Sequence, residues 1–245
     1  MRSSRWHAHG NVYLVAESTE LTPERVREEA RGTDGIVEVV RAGDGVVEIV
    51  IWNPDGSTAE LSGNGTRIAA AWLMARDGTG DARVDVRGGR SVHATRLADG
   101  SIETDIGPVE IGPRETVAGI ELTAVLVGNP HAVVVGDPAE IGRIGPLLET
   151  HPRFPDRTNV QIARVDGPGD VTARVWERGV GETTASGTSA VAVAAATHGD
   201  GAVVVHFPGG DLAVRLENGH AWLTGPAEQL DDSHEPATDP YPFHG

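Results

Sequence analysis

The sequence predicts an α/β (α+β) fold of two similar domains, each a mixed β-sheet or barrel around a central helix. Short β-branched runs separated by turn residues dominate both halves of the chain. Each half also holds one Ala-rich segment entered through a Ser-Gly loop, at Ser62-Gly63 and at Ser186-Gly187. The two serines lie about half the chain apart, so the two segments occupy equivalent points of a duplicated architecture.

The predicted strands are short apolar runs bounded by turns such as Ala98-Asp99-Gly100. In the first half they are Val12–Ala16, Ile36–Arg41, Val46–Trp52, Arg83–Arg87, Ser91–Arg96 and Ile102–Ile106. In the second half they are Leu122–Val127, Ala132–Val135, Asn159–Val165, Val171–Glu177, Ala202–Phe207, Leu212–Leu216 and His220–Leu223.

Four segments are predicted as helices. Thr22-Pro23 begins one that ends near residue 31, because Thr is a favoured N-cap and Pro a favoured first residue. The Ala-rich segments predict helices over about 62–76 and 186–197, and both are expected to be buried because they lack a wide polar face. A fourth helix is predicted over about 137–148, despite its glycines.

Turn-rich segments predict the limits of the domains. Gly107–Gly119 contains two Gly-Pro pairs and is expected to hold the boundary between the two halves. From about Asp231 to residue 245 the chain is acidic and Pro-containing, which predicts a disordered tail.

The composition excludes several classes of function. A formal net charge of −16 argues against nucleic acid and against an anionic membrane surface as partners. No apolar run approaches about 18 residues and the N-terminal residues lack a secretory signal, so we expect a cytoplasmic protein. The chain has no lysine for a pyridoxal phosphate Schiff base and no cysteine for a disulfide or thiolate site. The histidines show no metal-ligand spacing, and the sequence predicts neither a metal nor another cofactor.

Polar clusters occur where predicted strands end or begin. They contain Asn53, Asn129-Pro130-His131, Asn159 and Glu177-Arg178. One Asn or Gly in such a place usually marks only a turn. Four clusters beside two helix starts instead indicate a binding site, because amides, carboxylates and guanidinium groups hold carboxylates and ammonium groups without a metal. A helix N-terminus adds backbone N–H groups that favour an anion.

Two other site classes fit the motifs poorly. A serine hydrolase is disfavoured because neither Ser62 nor Ser186 lies in a Gly-x-Ser-x-Gly elbow. A dinucleotide-binding loop is disfavoured because Ile68 and Thr184 stand where a third glycine is needed.

Over about residues 5–227 the sequence resembles the diaminopimelate epimerase family of cofactor-independent amino-acid epimerases. Five motifs in the right order carry the resemblance: His7 through Tyr13, Asn53–Ser57 with Ser62–Arg67, Gly128–His131, Thr158-Asn159, and Glu177–Gly179 with Gly181–Thr183 and Ser186–Thr188. The family fold has two similar α/β domains that close over the substrate, and its last strand returns to the first domain. The resemblance therefore implies domains of residues 1–112 plus about 221–230, and residues 113–220.

The resemblance also implies roles for individual residues. The substrate-binding residues it implies are Asn11, Asn53, Asn129, Asn159, Glu177 and Arg178. Gly63-Asn64 and Gly187-Thr188 would offer backbone N–H groups to the reacting carboxylate, and His131 would lie close to the catalytic pair. This chain departs from common family patterns at Gly35, where a substrate-side Gln often occurs, and at Val12, which replaces a usual Asp.

The largest departure concerns the catalytic pair. The family uses two cysteines, one on each face of the α-carbon, and Ser62 and Ser186 stand at those positions here. A thiol has a pKa of about 8.5, whereas an alkyl hydroxyl starts several units higher. A helix N-terminus offers roughly 0.3–2 kcal/mol, which is about one pKa unit. Each serine therefore needs a neighbouring base, and the candidates are Glu177, Glu182 and His131.

The sequence thus predicts slow interconversion of LL- and meso-diaminopimelate, with substrate binding retained. Two alternatives stay open. One is an amino-acid binder without catalysis, either natural or made by replacing the cysteines; the other is a racemase or dehydratase for an amino acid such as hydroxyproline. The motifs Asn53–Ser57 and Glu177–Thr183 favour diaminopimelate over the latter. A homodimer is also left open.

Overall fold

The computed structural model describes residues 2–17, 20–59 and 62–230. In chain order the first nine strands are β1 Arg2–Ala8, β2 Asn11–Glu17, β3 Gly35–Gly43, β4 Val46–Trp52, β5 Thr58–Ala59, β6 Asp81–Val86, β7 Ser91–Arg96, β8 Ile102–Pro108 and β9 Glu110–Val117. The next nine are β10 Ile120–Leu126, β11 Pro130–Val135, β12 Asn159–Gly167, β13 Asp170–Glu177, β14 Gly181–Thr183, β15 Gly201–Phe207, β16 Gly210–Glu217, β17 His220–Gly225 and β18 Glu228–Gln229. The helices are α1 Pro23–Glu29, α2 Gly63–Asp77, α3 Ile141–Glu149 and α4 Gly187–Thr197.

The strands form one continuous sheet whose two halves repeat the same pairing order. The antiparallel pair β8–β17 joins the halves at the centre. Outward from β8 the order is β7, β6, β4, β3, β2, β1 and β18. Outward from β17 it is β16, β15, β13, β12, β11, β10 and β9. Even the parallel pairs fall at matching places, β2–β3 and β4–β6 in one half, β11–β12 and β13–β15 in the other.

Each half of the sheet curls around one Ala-rich helix. Helix α2 contacts the seven long strands from β1 to β8, and α4 contacts seven strands from β10 to β17. Residues 68–74 of α2 and residues 190–195 of α4 are all buried. Small side chains let the helix lie close to strands on every side, because alanine adds little bulk beyond the backbone. The predicted class, two α+β domains with central helices, is confirmed.

The shorter helices cover the outside of the sheet. Helix α1 packs Val26 against Ala16, Leu21 and Ile36, and α3 packs against strands β12 and β13. Thr22 caps α1 as predicted, through a bond from the Arg25 amide to its hydroxyl at 3.4 Å. All four predicted helices are confirmed, the fourth being preceded by the short 3-10 turn Pro138–Glu140.

Some elements were not predicted from the sequence. The segment Gly107–Gly119, expected as a boundary of turns, contains the strand β9, which pairs with β10. Pro113 is tolerated there because β9 is an edge strand with a register irregularity opposite residues 123–125. The strands β1, β5, β14 and β18 were also missed, since they are short or polar.

The predicted domain limits stay a prediction, although β18 pairs with β1 and so lies in the first half of the sheet. The predicted disordered tail, residues 231–245, lies outside the described residues. Within the described part of the chain, none of the helices has the length and apolar character that crossing a membrane requires.

Candidate active site

The two serine-capped helix starts meet at the centre of the molecule. Ser62 is the N-cap of α2 and Ser186 is the N-cap of α4. A Cβ atom added to Gly63 would lie 3.0 Å from the Cα of Gly187, and one added to Gly187 would lie 2.7 Å from the Leu223 side chain. Only glycine lets the two backbones approach this closely. Two helix ends with unpaired amides and partial positive charge therefore lie side by side and favour one shared anion.

The hydroxyl of Ser62 is held by groups of the first half. Its Oγ accepts a hydrogen bond from the Gly65 amide at 3.0 Å, which is an ordinary helix cap. The hydroxyl of Tyr13 lies 3.3 Å from the same oxygen. Burial raises the pKa of Tyr13 to about 12, so its phenol is neutral at physiological pH. Sequence reasoning did not single out the Tyr13 hydroxyl, because the strand pattern explained the residue as part of the core.

The hydroxyl of Ser186 has different surroundings. It makes no capping bond to its own helix, and it lies close enough to the Glu177 carboxyl, at the end of β13, to influence the pKa of that group. Burial raises the pKa of Glu177, while the neighbouring hydroxyls of Thr183 and Ser186 oppose that rise. The Thr183 hydroxyl donates to Glu177 Oε1 at 2.6 Å. A carboxyl with a raised pKa is a stronger base once it is ionised.

The other two candidate bases have different partners. His131 is buried, and its Nε2 lies 2.8 Å from Asn129 Oδ1 while its Nδ1 lies 3.0 Å from Gln161 Nε2. Burial lowers the pKa of His131 to about 3, so the ring is neutral. Glu182 forms an ion pair with Arg174 on the neighbouring strand. Of the three predicted candidates, the structure brings Glu177 against a serine.

A chain of polar side chains connects His131 to the first turn of α4. The Gln161 amide also donates to Ser189 Oγ at 2.9 Å. At the other end of the chain, the Asn129 amide lies 3.5 Å from the Thr188 hydroxyl. Because the Gln161 amide donates to Nδ1, the His131 Nε2–H donates to Asn129. The neutral ring therefore fixes the orientation of the Asn129 amide beside the helix start.

An equivalent amide pair lies beside the start of α2. The Asn64 amide donates to Asn11 Oδ1 at 2.6 Å, and Arg67 donates to Asn64 Oδ1 at 2.7 Å. The Arg67 guanidinium is fully buried and also donates to the carbonyl of Pro226 at 3.0 Å. Desolvation lowers the pKa of Arg67 to about 10, which leaves it charged. Arg67 thus ties the first turn of α2 to the chain that leaves β17.

Two further predicted residues link loops of the second half. The Asn159 amide donates to the Pro130 carbonyl at 3.0 Å, and Asn159 Oδ1 accepts the backbone N–H of Arg178 at 2.9 Å. The Arg178 side chain donates to the Asp156 carbonyl at 3.2 Å. Asn159 therefore holds the loop of Asn129 and the loop of Arg178 together.

Asn53 is the predicted residue with the least connection to the others. Its amide donates to Ser57 Oγ at 2.9 Å within its own exposed turn. A carboxylate near the site was missed from the sequence: Asp34 Oδ2 accepts the Val12 N–H at 2.7 Å, and burial raises its pKa. Asp34 is close enough to raise the pKa values of Tyr13 and Glu177 as well. Its position just before Gly35 gave no signal, since an Asp-Gly pair normally marks a turn.

The predicted site residues thus form two clusters around the meeting helices. The first contains Ser62, Gly63, Asn64 and Asn11, and the second contains Ser186, Gly187, Thr188, Asn129, His131, Asn159, Glu177 and Arg178. Across residues 2–17, 20–59 and 62–230, no three His, Asp or Glu side chains gather in a way that could hold a metal ion.

Solved structures share this fold. A predicted epimerase from Pseudomonas aeruginosa superposes with a TM-score of 0.73 at 17% identity, covering 94% of this chain and 97% of that one. A hydroxyproline epimerase from Agrobacterium vitis, solved with trans-4-hydroxy-L-proline bound, gives a TM-score of 0.66 at 14% identity, covering 93% of this chain and 88% of that one. At these identities the likeness concerns the fold alone.

Sequence comparison gives the family. The profile of diaminopimelate epimerase matches residues 7–112 and 123–230. A diaminopimelate epimerase from Synechococcus elongatus is 35% identical over 94% of this chain and 96% of its own length. Another from Desulforudis audaxviator is 38% identical over 95% of this chain and 98% of its own length.

The fold, the paired helix starts and these relatives define an enzyme of the isomerase class, an amino-acid epimerase or racemase. Within that class, the chain belongs to the diaminopimelate epimerase family.

Proposed function

We propose that this epimerase interconverts LL- and meso-diaminopimelate, a precursor of lysine and peptidoglycan, without pyridoxal phosphate. The observation that carries the proposal is the close contact of Gly63 with Gly187, which sets two N-cap serines from opposite halves beside one anion site. Inverting a carbon needs one proton acceptor and one proton donor on opposite faces. Two hydroxyls contributed by two pseudo-equivalent domains meet that need.

The substrate carboxylate at the reacting carbon binds the amides of both helix starts. Those amides belong to Gly63, Asn64, Gly187 and Thr188. The two partial positive charges also stabilise the negative charge that spreads onto the carboxylate when the α-proton leaves. The rest of the substrate, with its second ammonium and carboxylate, binds the amide and charged groups of the two clusters. These are Asn11, Asn53, Asn129, Asn159, Glu177 and Arg178.

Ser62 and Ser186 are the acid–base pair, in the places where the family has cysteines. In one direction Ser186 Oγ removes the α-proton while its own proton passes to the Glu177 carboxylate. Ser62 then gives its proton to the opposite face of the carbon. Since a helix N-terminus supplies only roughly 0.3–2 kcal/mol toward an alkoxide, we expect turnover to be slow compared with a thiol pair.

Exchange of the α-proton in heavy water tests this function directly. Purified protein is incubated with LL- or meso-diaminopimelate, and deuterium incorporation and inversion are followed by NMR, while calorimetry measures binding. We expect binding of both stereoisomers with slow exchange. Binding without any exchange supports a non-catalytic binder instead, and the absence of binding contradicts the proposal.

The same assay examines the second candidate substrate class. A fold neighbour was solved with trans-4-hydroxy-L-proline bound, so this amino acid is included as a competitor. Faster exchange with hydroxyproline than with diaminopimelate favours a racemase of that class. A cytoplasmic location stays a prediction from the sequence, and a homodimer stays open.

A further inference from the structure

The oxygen of Ser62 receives hydrogen bonds and is placed to carry negative charge. The Gly65 amide can only donate, so Ser62 Oγ must accept that bond at 3.0 Å. The hydroxyl of Tyr13 lies 3.3 Å from the same oxygen. Among the described residues, Ser62 is the hydrogen-bond partner of this phenol, and a buried phenol O–H normally finds an acceptor.

A glycine on the neighbouring strand makes room for the ring of Tyr13. Tyr13 on β2 is directly paired with Gly35 on β3. A Cβ atom at Gly35 would lie 2.8 Å from Tyr13 Cε1 and 2.5 Å from the Trp52 carbonyl oxygen. A side chain at position 35 would therefore displace the ring. The absence of one keeps the Tyr13 hydroxyl directed at the helix start.

The second half is built differently at the equivalent places. There the residue paired across the parallel strands is His131, and its partner is Asn159. His131 bonds to Asn129 and Gln161 through its two nitrogens. The nearby Ser186 faces the acceptor Glu177 in place of a donor.

We propose that Tyr13 is a positioning residue whose phenol donates to Ser62 Oγ and, with the Gly65 amide, stabilises negative charge on that oxygen. The proposal rests on the proposed function, in which Ser62 becomes an alkoxide whenever it has given its proton to the substrate. The O–H bond of Ser62 breaks, the new C–H bond forms, and the electron pair stays on Oγ between the two donors.

The separation of 3.3 Å is that of a weak hydrogen bond, which fits this role while Ser62 is neutral. An O–H···O bond is normally about 2.5–3.0 Å long, and bonds to a charged oxygen are shorter than bonds to a neutral one. The Tyr13 contact is therefore expected to tighten when charge develops on Ser62. A donor that strengthens in the transition state accelerates the reaction more than one that binds the resting state equally well.

Because the chain has no cysteine, one introduced thiol reports the anion stabilisation at this position without any need for turnover. In a Ser62→Cys variant the thiolate is titrated by its ultraviolet absorbance and by the pH dependence of its alkylation. The same titration is then made with Tyr13→Phe added, which keeps the ring on Gly35 and removes only the hydroxyl. We expect the second variant to show a thiol pKa higher by about one unit, the size of one lost hydrogen bond.

The matched control places the thiol in the other half. Ser186→Cys is titrated with and without Tyr13→Phe, and its thiol pKa is expected to stay the same. Circular dichroism and thermal unfolding of every variant ensure that folded protein is compared.

An unchanged thiol pKa at position 62 overturns the proposal, and so does an equal rise at both positions, since that indicates a general structural effect. A rise confined to position 62 supports it. If α-proton exchange is also absent from the parent and from the variant with both thiols, the proposed function fails while the role of Tyr13 toward position 62 stands. The two failures are thus distinguished.

Discussion

The two helix starts share one backbone design and have opposite hydrogen-bond chemistry. In both, an N-cap serine of extended conformation precedes a glycine, with φ of −133° at Ser62 and −146° at Ser186. Ser62 is surrounded by the donors of Gly65 and Tyr13, whereas Ser186 faces the acceptor Glu177. The duplication therefore sets where the two hydroxyls lie. The side chains on the flanking strands decide which of them carries a negative charge more easily.

The contacts between the halves show the same pattern of shared position and changed chemistry. The β1–β2 turn inserts His9, with a positive φ of 51°, into a slot formed by Gly209, Gly210 and Gly225. At the equivalent contact the β10–β11 turn presents Gly128, and the guanidinium of Arg90 lies against it. At the first contact the side chain, His9, comes from the β1–β2 turn itself. At the second the side chain, Arg90, comes from the β6–β7 loop that faces the β10–β11 turn.

Placing thiols at both helix starts gives the largest expected change. Ser62→Cys with Ser186→Cys should raise the α-proton exchange rate by on the order of 10²–10⁴, because a thiol ionises far more readily than a hydroxyl. Each single replacement should give a smaller and unequal gain, since the two surroundings differ. Exchange in heavy water measures the rates, and Ser91→Cys on β7 provides a thiol control away from the site. No gain in the exchange rate of the double variant would show that this site differs from the two-cysteine site of the family in more than its acid–base pair.

Removing the acceptor beside Ser186 is the next largest change. Glu177→Gln should lower the exchange rate by on the order of 10², because Ser186 then has no base for its proton. Glu182→Gln, five positions along on β14 and paired with Arg174, is the matched control and should leave the rate nearly unchanged. With thiols at both positions Glu177→Gln should lower the exchange rate less, because a thiol ionises without a neighbouring base more readily than a hydroxyl does. Equal losses from Glu177→Gln and Glu182→Gln would contradict the difference between the two helix starts.

Separating the two helix starts tests their contact. Gly187→Ala adds a Cβ 2.7 Å from the Leu223 side chain and 3.1 Å from the Cα of Gly63, which should cost about 1–3 kcal/mol of unfolding free energy. Substrate affinity should fall as well, because the shared anion site widens. Gly142→Ala on α3, where a Cβ meets no atom within 4 Å, should be neutral or stabilising. Urea unfolding compares the two variants, and equal unfolding free energies would contradict a tight contact between Gly63 and Gly187.

The smallest of the expected effects is a loss of unfolding free energy on acidification, caused by the buried ring of His9. Burial, then the charge of Arg67, lowers the pKa of His9 to about 4, with Asp211 opposing and His7 adding to the decrease. As pH falls from about 6.5 to 4, the unfolded chain binds a proton at His9 that the folded chain does not, so the unfolding free energy falls. His131 acts in the same direction, since its pKa is lowered to about 3.

His9→Asn should therefore reduce the loss of stability between pH 7 and pH 5, while Asn tolerates the positive φ at this position. Urea unfolding at the two pH values measures the difference. Arg90 stays charged over that range, so the equivalent contact of the other half should contribute no pH dependence there. A variant with the same pH dependence as the parent would show that His9 is not the group responsible.

Local signals predicted most of the fold. The helix starts at Thr22, Ser62 and Ser186 follow from capping residues and composition, which act within a few positions of the chain. The strand β1 was missed because its polar sequence becomes a strand only by pairing with β2 and β18. Such pairing depends on distant residues, and no local pattern records it.

The site, like the fold, was only partly predictable from the sequence. The residues that would hold the substrate were identified from motifs, but the partner of each serine was not. Glu182 was a candidate base, yet successive residues of a strand point to opposite faces, so Thr183 bonds Glu177 while Glu182 pairs with Arg174. Asp34 and Tyr13 were missed because a turn and a buried strand explained them fully.

By itself, the sequence determined the family, the two Ser-Gly helix starts and most strands of the sheet, because capping, turn and hydrophobic patterns are short-range properties. Only the tertiary structure decided that Gly63 touches Gly187, that Tyr13 reaches Ser62 across 49 positions of chain, and that Ser186 faces Glu177. These contacts arise where the curled halves of one sheet bring distant residues together. The acidity of each hydroxyl depends on those through-space neighbours, which is why the chemistry of two similar loops could be distinguished only in the folded protein.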